Sequence, residues 1–330
     1  MIRNYKYSKE FVENNINNCT VLIVGDIMLD KYYYGEVRRI SPEAPVPITH
    51  VLKEKNTLGG AGNVAHNLAL LGCKVILAGV VGQDEHRTGL LQLLTSTGIS
   101  HEGLVLKSGP TTTKLRVIGG HQQMIRLDFE ETNHIEQEIE EKLKQYIAAV
   151  VSQQVGCVIL SDYNKGVCTP SLCQFIIELC TSYEIPIIVD PKGNNWIKYV
   201  GASYITPNLK ELNDAVHIDV MNEDDEIKRA AQSIRRKYHI QNVVVTRSEK
   251  GLSLIGARRS VHIPTLAQEV FDVSGAGDTV IAVLGAAIAG QVDPCDAAYL
   301  ANMAAGVVVG KVGTYAISRE ELLATLARDK

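Results

Sequence analysis

The chain has 330 residues, of which 45% are hydrophobic and 21% charged, with 33 lysine and arginine residues against 37 aspartate and glutamate residues. A net charge of −4 without a basic block argues against nucleic acid as a partner. The first 18 residues lack the apolar core of a signal peptide, and the most apolar stretch, residues 280–290, is too short to cross a bilayer. We therefore predict a cytoplasmic protein without a membrane partner, whose seven scattered cysteines are reduced and buried.

The predicted elements of the first half begin with a buried strand at residues 20–25. Residues 31–51 are rich in aromatic and β-branched side chains and contain three prolines, which predicts a small β flap outside the core. A helix at residues 61–71 ends at Gly72, and it is followed by a strand at 74–79 and a helix at 85–97. Several strand-like runs lie between residues 101 and 131, and an amphipathic helix is expected at 135–151.

Strands and helices then alternate, which predicts a mostly parallel sheet covered by helices on both faces. The strands are expected at residues 155–160, 185–189, 204–206 and 242–246, and the intervening helices at 169–183 and 224–237. Residues 252–264 are typical of antiparallel strands, and helices at 278–289, 294–310 and 319–328 close the chain. The sequence thus predicts one α/β domain over residues 1–330, with ligands binding at the carboxyl ends of the strands.

A glycine-rich segment, DVSGAGDT at residues 272–279, precedes the uncharged helix. The N–H groups of Gly275, Ala276 and Gly277 can point together toward an anion, and the helix dipole favours negative charge there. Asp278 is then placed to take a proton from a hydroxyl that attacks a phosphoryl group. A glycine-rich turn capped by an aspartate is the alternative interpretation.

A second glycine-rich segment, LGGAGN at residues 58–63, opens the helix at 61–71. Gly59 and Gly60 let the backbone approach a polyol closely, and Asn63 offers both a donor and an acceptor. The same segment imitates a dinucleotide fingerprint, but it does not follow the first strand, which disfavours nicotinamide binding. A glycine-rich helix start without a ligand is the alternative.

Carboxylates and cations lie close to other predicted strands. Asp26 and Asp30 follow the first strand, where a carboxylate can accept bonds from sugar hydroxyls, although Asp26 can equally cap a turn. Lys114 and Arg116 alternate along a strand and share one face, which suits a phosphate group. A solvated strand face is the alternative interpretation of such charges.

Asn208 and Glu211 begin a helix after a predicted strand. They either hold Mg²⁺ through water, since this ion keeps several waters, or form a helix cap without a ligand. The chain contains no GxxxxGK[ST], HExxH or GxSxG sequence, which argues against a P-loop enzyme, a zincin and an α/β-hydrolase.

Together these segments resemble the ribokinase-like (PfkB) carbohydrate kinase family. The matching features are GGAGN at residues 59–63, NLKE at 208–211 and the segment at 272–278 with its buried helix, and they occur in the family's order. The resemblance implies a three-layer α/β/α domain with a small β-sheet lid, formed here by residues 31–51 and 111–129. It also implies a sugar kinase that uses ATP and Mg²⁺ and forms a homodimer through the lid.

Within that family the chain is similar to the heptose 7-phosphate kinase domains of ADP-heptose synthesis. The similarity rests on residues 35–48 (GEVRRISPEAPVPI), 114–117, 122–131 (QQMIRLDFEE), 161–166 (SDYNKG) and 190–193 (DPKG). It implies phosphorylation of O1 of D-glycero-β-D-manno-heptose 7-phosphate, a step toward the lipopolysaccharide inner core. In bifunctional relatives a nucleotidyltransferase domain follows the kinase; this chain stops at Lys330, so a separate nucleotidyltransferase is expected.

The resemblance also implies roles for individual residues. Asp278 becomes the base, and the N–H groups of Gly275, Ala276 and Gly277 become an anion hole. The ATP-binding residues are expected to be Asn208, Glu211, Thr246, Gly251, Asn302 and Lys192, with Glu211 close to Mg²⁺ through water. The substrate-binding residues are expected to be Asp30, Gly59, Gly60, Asn63, Asp162 and Lys165, together with Lys114, Arg116 and Arg126, whose charge and strand face suggest the 7-phosphate. Lys165 and Lys192 can each serve either the sugar phosphate or the nucleotide phosphates.

Three other functions are alternatives to this one. A kinase of the same fold acting on another sugar or sugar phosphate, such as a ribokinase or a phosphofructokinase-like enzyme, is the nearest alternative. A non-catalytic sugar or nucleotide sensor has no need of the base at Asp278, and an NAD-dependent oxidoreductase requires a fingerprint that this chain carries in the wrong place.

Overall fold

The computed structural model describes residues 4–153, 155–267, 269–311 and 313–328. Within these ranges the chain forms thirteen strands and ten α-helices. The strands are β1 (Thr20–Gly25), β2 (Ile27–Ile40), β3 (Pro47–Gly60), β4 (Lys74–Val81), β5 (Ser100–Leu106), β6 (Thr113–Gly119), β7 (Gln122–Phe129), β8 (Cys157–Ser161), β9 (Ile187–Asp190), β10 (Tyr204–Ile205), β11 (Asn242–Thr246), β12 (Leu252–Ile255) and β13 (Ser260–Ile263). The helices are α1 (Tyr5–Glu10), α2 (Ala61–Leu71), α3 (Glu85–Ser96), α4 (Gln137–Val151), α5 (Pro170–Ser182), α6 (Leu209–Val216), α7 (Asp224–Lys237), α8 (Ala276–Ala289), α9 (Pro294–Val308) and α10 (Arg319–Arg328).

Nine strands form the main sheet, in the order β13-β12-β11-β10-β9-β8-β1-β4-β5. Strand β12 runs antiparallel to both of its neighbours, and every other pair in this sheet is parallel. The central strand β1 consists almost entirely of apolar residues because both of its faces are buried. The predicted parallel sheet with an antiparallel pair at residues 252–264 is confirmed.

Helices cover both faces of this sheet, as the alternation predicted. On one face Ile23, Ile159 and Ile188 pack against buried residues of α2, α8, α9 and α10. On the other face Leu22, Val158 and their neighbours pack against α4, α5, α6 and α7. The three-layer α/β/α architecture follows directly, because side chains of successive strand residues point to opposite faces.

Four strands form the separate sheet of the lid, in the order β3-β2-β6-β7. The lid strands are longer than the sequence predicted: β2 begins at Ile27, and β3 continues to Gly60, directly before α2. The polar residues 53–57 lie within β3 and pair with β2. Pro42 and Pro45 fall in the turn between these strands, where their missing N–H groups cost no ladder bond.

Other differences concern the edges of elements. The N-terminal helix α1 was not predicted, and the strand β5 belongs to the main sheet, where it pairs with β4. Three helices are one or two residues shorter than predicted, because the predicted ends at residues 97, 135 and 310 lie outside the observed helices. All seven cysteines are buried and none forms a disulfide. In the described part of the chain, no helix has the length and apolar character needed to cross a membrane.

Candidate active site

Several loops meet at the carboxyl ends of the central strands. Gly25, Ser161 and Asp190 end β1, β8 and β9 and lie opposite one another in register. Gly25 allows this close approach, since a Cβ at that position would lie 2.0 Å from the carbonyl oxygen of Ser161. Helix α8 packs against β1, β8 and β9, and Asp278 in its first turn bonds to Tyr163, two residues beyond the end of β8.

Asp278 is a buried carboxylate in the first turn of α8, only 6% exposed. Its Oδ2 accepts a hydrogen bond from Nδ2 of Asn63 at 2.7 Å, and its Oδ1 accepts one from the hydroxyl of Tyr163 at 2.5 Å. Burial raises the pKa of Asp278 to about 6, and the two donated bonds only partly oppose this effect. A carboxylate with such a pKa is ionised at neutral pH and is more basic than an ordinary aspartate, which suits a general base.

The two glycines before Asp278, Gly275 and Gly277, occupy their positions for different physical reasons. Gly275 has a φ of +80°, and a Cβ on it would lie 3.0 Å from Nδ2 of Asn63. Gly277 has helical backbone, yet a Cβ on it would meet no atom within 4 Å. No protein contact therefore requires glycine at residue 277, and the space in front of the helix N-terminus is open to a ligand.

Residues expected at the sugar lie beside Asp278. The negative charge of Asp30 contributes to the raised pKa of Asp278, which shows that the two carboxylates are close. A Cβ on Gly59 would lie 2.4 Å from Oδ2 of Asp30, and Gly60 has a φ of +54° that favours glycine. The structure thus brings Asp30, Gly59, Gly60 and Asn63 together around the base.

The three cations expected at the 7-phosphate share one face of the lid. Lys114 lies opposite Asp30 on β2, and Arg116 lies opposite Arg126 on β7, so their side chains point to the same side. Arg116 donates to Asp30, with 2.6 Å between Nη1 and Oδ1, while Arg126 makes two bonds of 2.9 Å to Asp128. The charge of Lys114 lowers the pKa of Asp278, and Lys114 has no ion pair among the described residues.

Asp26 organises the loop after β8. Its carboxylate is buried and accepts hydrogen bonds from the backbone N–H groups of Tyr163, Lys165 and Val167 at 2.8, 3.0 and 3.1 Å. Of the two interpretations left open for Asp26, the structure therefore shows the turn-organising one. These three hydrogen bonds account for the burial of the Asp26 carboxylate without a bound ligand.

Two residues expected at the substrate are engaged elsewhere in this structure. Asp162 is buried and accepts from Nζ of Lys198 and the hydroxyl of Tyr199, each at 2.5 Å. Lys165 forms an ion pair with Glu130, with 2.7 Å between Nζ and Oε1. Burial of the charge of Asp162 requires these donors, so in this structure Asp162 supports the loop after β8.

The segment at residues 208–211 forms the cap that was one of its two interpretations. Oδ1 of Asn208 accepts from the N–H of Glu211 at 2.9 Å, and Oε2 of Glu211 accepts from the N–H of Asn208 at 3.1 Å. The other oxygen of Glu211 accepts from Nζ of Lys192 at 2.9 Å. The backbone of Asn208 also bridges to Thr246 at the end of β11, which brings these four residues to one part of the site.

Asn302 and Gly251 lie near a cavity beside α9. Asn302 is buried and donates from Nδ2 to the carbonyl of Pro264 at 2.8 Å. Gly251 has a φ of +80°, and a Cβ on it would lie 2.2 Å from the carbonyl oxygen of Ile263. The cavity has a volume of about 500 Å³ and is lined by Leu266, Glu269, Phe271, Met303, Gly306, Val307, Gly310, Thr325 and Arg328.

The carboxylates at the strand ends suit a hard cation with few protein ligands. Burial, followed by the negative charges of Glu211 and Asp278, raises the pKa of Asp190 well above its ordinary value. A nearby cation would relieve this repulsion. No three acidic, histidine or cysteine side chains among the described residues are spaced to chelate a metal ion.

Two residues of the site were not predicted from the sequence: Tyr163, which bonds to the base, and Asp190. Both lie at or just beyond the carboxyl ends of parallel strands, within the segments 161–166 and 190–193 that carry the resemblance, but no individual role was predicted for either residue.

Comparison with known proteins identifies the family of this chain. The sequence profile of the pfkB family carbohydrate kinases matches residues 19–321. The chain is 46% identical over 307 residues to bifunctional protein HldE of Geobacter sulfurreducens and 45% identical over 303 residues to that of Methylobacillus flagellatus. Each alignment covers 92% of this chain and 62% of the relative, so the chain spans less than two thirds of these relatives' length.

Solved structures share the fold at low sequence identity. Phosphofructokinase-2 of Escherichia coli superposes with a TM-score of 0.78 at 18% identity, covering 94% of this chain and 98% of that one. Ribokinase of Thermotoga maritima superposes with a TM-score of 0.72 at 21% identity, covering 94% and 99%. The predicted ribokinase-like α/β fold with a small separate sheet is confirmed. The chain belongs to the pfkB family of carbohydrate kinases and is a sugar kinase.

Proposed function

We propose that the chain transfers the γ-phosphoryl group of ATP to O1 of D-glycero-β-D-manno-heptose 7-phosphate, giving the 1,7-bisphosphate in ADP-heptose synthesis. The observation that carries the proposal is the position of Asp278, whose basic carboxylate lies at a helix N-terminus beneath a lid face that bears Lys114, Arg116 and Arg126. The identity of about 45% to proteins named HldE supports the same sugar.

The chemistry at the acceptor follows from Asp278 and the backbone before it. The O1 hydroxyl gives its proton to the carboxylate as the oxygen forms a bond to the γ-phosphorus and the bond to the bridging oxygen of ADP breaks. The N–H groups of Gly275, Ala276 and Gly277 stabilise the charge of the transferring group. Transfer is direct, and the enzyme contributes mainly by positioning and by electrostatic stabilisation.

The heptose phosphate would lie between the lid and α2. Asp30 and Asn63 offer polar atoms for the sugar hydroxyls, and Gly59 and Gly60 let the backbone approach the ring. The 7-phosphate would meet the lid cations, a suitable pairing because a phosphate accepts several charge-assisted hydrogen bonds at once. The substrate contacts of Lys165 would require its ion pair with Glu130 to open.

The nucleotide would lie along the other side of α8. The cavity beside Asn302 has the size for an adenine, and its lining mixes apolar side chains with Glu269, Thr325 and Arg328. Gly251 and Thr246 would lie next to the ribose and phosphates. Lys192 and Glu211 would approach the phosphates, with Glu211 and Asp190 close to the bound Mg²⁺. When bound, this ion neutralises part of the phosphate charge.

The first test is release of ADP from Mg-ATP with three sugars: the heptose 7-phosphate, ribose and fructose 6-phosphate. Turnover with the heptose alone, a product with two phosphorus signals in ³¹P NMR, and loss of turnover in Asp278→Asn would support the proposal. Turnover with another sugar would leave a kinase of this family with a different substrate. ATP binding without turnover of any sugar would favour a sensor.

We also propose a cytoplasmic homodimer that forms through the outer face of the lid. Ile125, Leu127 and Phe129 alternate with Arg126 and Asp128 along β7, so they point away from the active site. All three are exposed, at 51%, 42% and 39%, although they are large and apolar. A contiguous apolar strand face of this kind is typical of a protein interface.

A further inference from the structure

We propose that Tyr163 is a positioning residue for phosphoryl transfer: its hydroxyl fixes the carboxylate of Asp278 and stabilises its ionised form. This inference rests on the proposed role of Asp278 as the base. It assigns a function to Tyr163, to which the proposed mechanism gives no role.

The geometry around Asp278 leaves the carboxylate little freedom. Tyr163 donates to Oδ1 at 2.5 Å and Asn63 donates to Oδ2 at 2.7 Å, so each oxygen is held from a different element. Each carboxylate oxygen accepts two hydrogen bonds, so one lone pair on each remains for an acceptor hydroxyl. Burial and the negative charge of Asp278 raise the pKa of Tyr163 well above its ordinary value, so its hydroxyl is protonated and can only donate to the carboxylate.

The position of Tyr163 is itself fixed by the fold. Its backbone N–H donates to the buried carboxylate of Asp26 at 2.8 Å, and the N–H groups of Lys165 and Val167 donate to the same carboxylate. Asp26 in turn bonds through its own N–H to the carbonyl of Ser161 at 3.1 Å. These backbone hydrogen bonds fix the loop, and the loop holds the phenol of Tyr163 against α8.

The hydrogen bond acts against the other groups that face Asp278. Burial raises the pKa of Asp278 and the charge of Asp30 on β2 raises it further, whereas Tyr163, Asn63 and Lys114 lower it. Asp190 on β9 lies close to the same carboxylate, since the charge of Asp278 is one cause of the raised pKa of Asp190. Without the phenol, the balance shifts toward the protonated acid, which cannot accept a proton from the sugar.

The test compares Tyr163→Phe with wild type in the intact protein. In carbon-13-labelled aspartate, the carboxyl signal of Asp278, assigned by its loss in Asp278→Asn, is titrated by NMR without any substrate. Loss of a hydrogen bond to a charged group should raise the titration midpoint by about one to two pH units. The acid limb of kcat/KM should move upward by the same amount, a shift that a merely structural role would not produce.

Tyr199→Phe is the matched control. Tyr199 donates to Asp162 at 2.5 Å, the same type of bond to a buried aspartate, but it does not touch Asp278. Its removal should leave the midpoint of Asp278 unchanged. If Tyr163→Phe does not fold, the inference is tested by strengthening the hydrogen bond instead. 3-Fluorotyrosine at residue 163 is a stronger donor and should lower the titration midpoint of Asp278.

An unchanged midpoint in folded Tyr163→Phe, an equal shift in both phenylalanine variants, or an unchanged or higher midpoint with fluorotyrosine would overturn the inference. Because the NMR titration needs no sugar, it still gives its answer if the heptose proves to be the wrong substrate. Failure of the proposed function and failure of this inference are therefore separable.

Discussion

Asp30 and Arg116 form an ion pair across the neighbouring lid strands β2 and β6, with 2.6 Å between Oδ1 and Nη1. Both side chains are largely buried, and the guanidinium also lies 5.2 Å from the ring centroid of Tyr32. The residue expected at the sugar hydroxyls thus directly holds one of the cations expected at the phosphate. An arriving phosphate would share this guanidinium, which is already oriented by Asp30 and Tyr32.

Replacing Arg116 with glutamine should raise KM for the sugar phosphate about ten- to a hundredfold with little change in kcat, the usual scale for losing a charge-assisted contact. The effect should disappear when the acceptor lacks its 7-phosphate. Arg38→Gln is the control, since that lid arginine is 79% exposed and pairs with Glu36. An equal loss with the dephosphorylated sugar would place the phosphate elsewhere.

Asp278→Asn should stabilise the fold while it abolishes turnover. The raised pKa, about 6 in place of 3.8, means that the folded protein binds this proton more tightly than the unfolded chain. Stability therefore falls as pH rises through that window and stays lower above it, by at most about 3 kcal/mol. Thermal melts at pH 7.5 should show a higher Tm for Asp278→Asn, and the difference should vanish near pH 4.

The matched variant for that measurement is Asp278→Ala. It also removes the buried charge, but it leaves the donors of Tyr163 and Asn63 without a partner, so it should stabilise the protein less than the asparagine. A lower Tm for Asp278→Asn than for wild type at pH 7.5 would show that the buried charge of Asp278 does not destabilise the folded protein.

Gly277→Ala should separate stability from activity. A Cβ there meets no protein atom within 4 Å and the backbone is helical, so alanine should stabilise by roughly 0.5–1 kcal/mol. If the space belongs to the transferring phosphoryl group, kcat should nevertheless fall at least about tenfold. Gly275→Ala is the comparison: its φ of +80° makes alanine strained, so both stability and activity should fall.

Much of the fold could be predicted because its signals are local. Apolar runs such as residues 20–25 and the regular spacing of helices defined the parallel sheet. The lid boundaries were harder, since residues 53–57 in β3 are mostly polar and exposed and look like a loop until their partners on β2 are known. Here pairing with a neighbouring strand overrides local composition.

The site was predictable where chemistry lies within one segment, as at residues 275–278. It was not predictable where function depends on contacts between distant residues. Tyr163 and Asp278 are 115 positions apart, and no local pattern indicates their hydrogen bond. Likewise, a carboxylate after a strand could bind a sugar or organise a loop, and only the three N–H groups around Asp26 decide between these roles.

Glu211→Gln should weaken the response to Mg²⁺ without unfolding the site. Glutamine can still accept from the N–H of Asn208, so the helix cap persists, whereas the charge and the ion pair with Lys192 are lost. The Mg²⁺ concentration for half-maximal activity should rise several-fold, while the free energy of unfolding changes by less than about 1 kcal/mol. Glu223→Gln, in an exposed pair with Lys250, should change neither quantity.

Leu127→Asp should convert the proposed dimer into a monomer. Leu127 lies at the middle of the exposed apolar row on β7, and a carboxylate there would be buried without a partner in an interface between two lids. Sedimentation velocity should show a dimer for wild type and a monomer for the variant. Leu70→Asp on α2 is a close control, because Leu70 is also 42% exposed but lies outside the lid. A monomeric wild type, or a dimer that survives Leu127→Asp unchanged, would exclude this face as the interface.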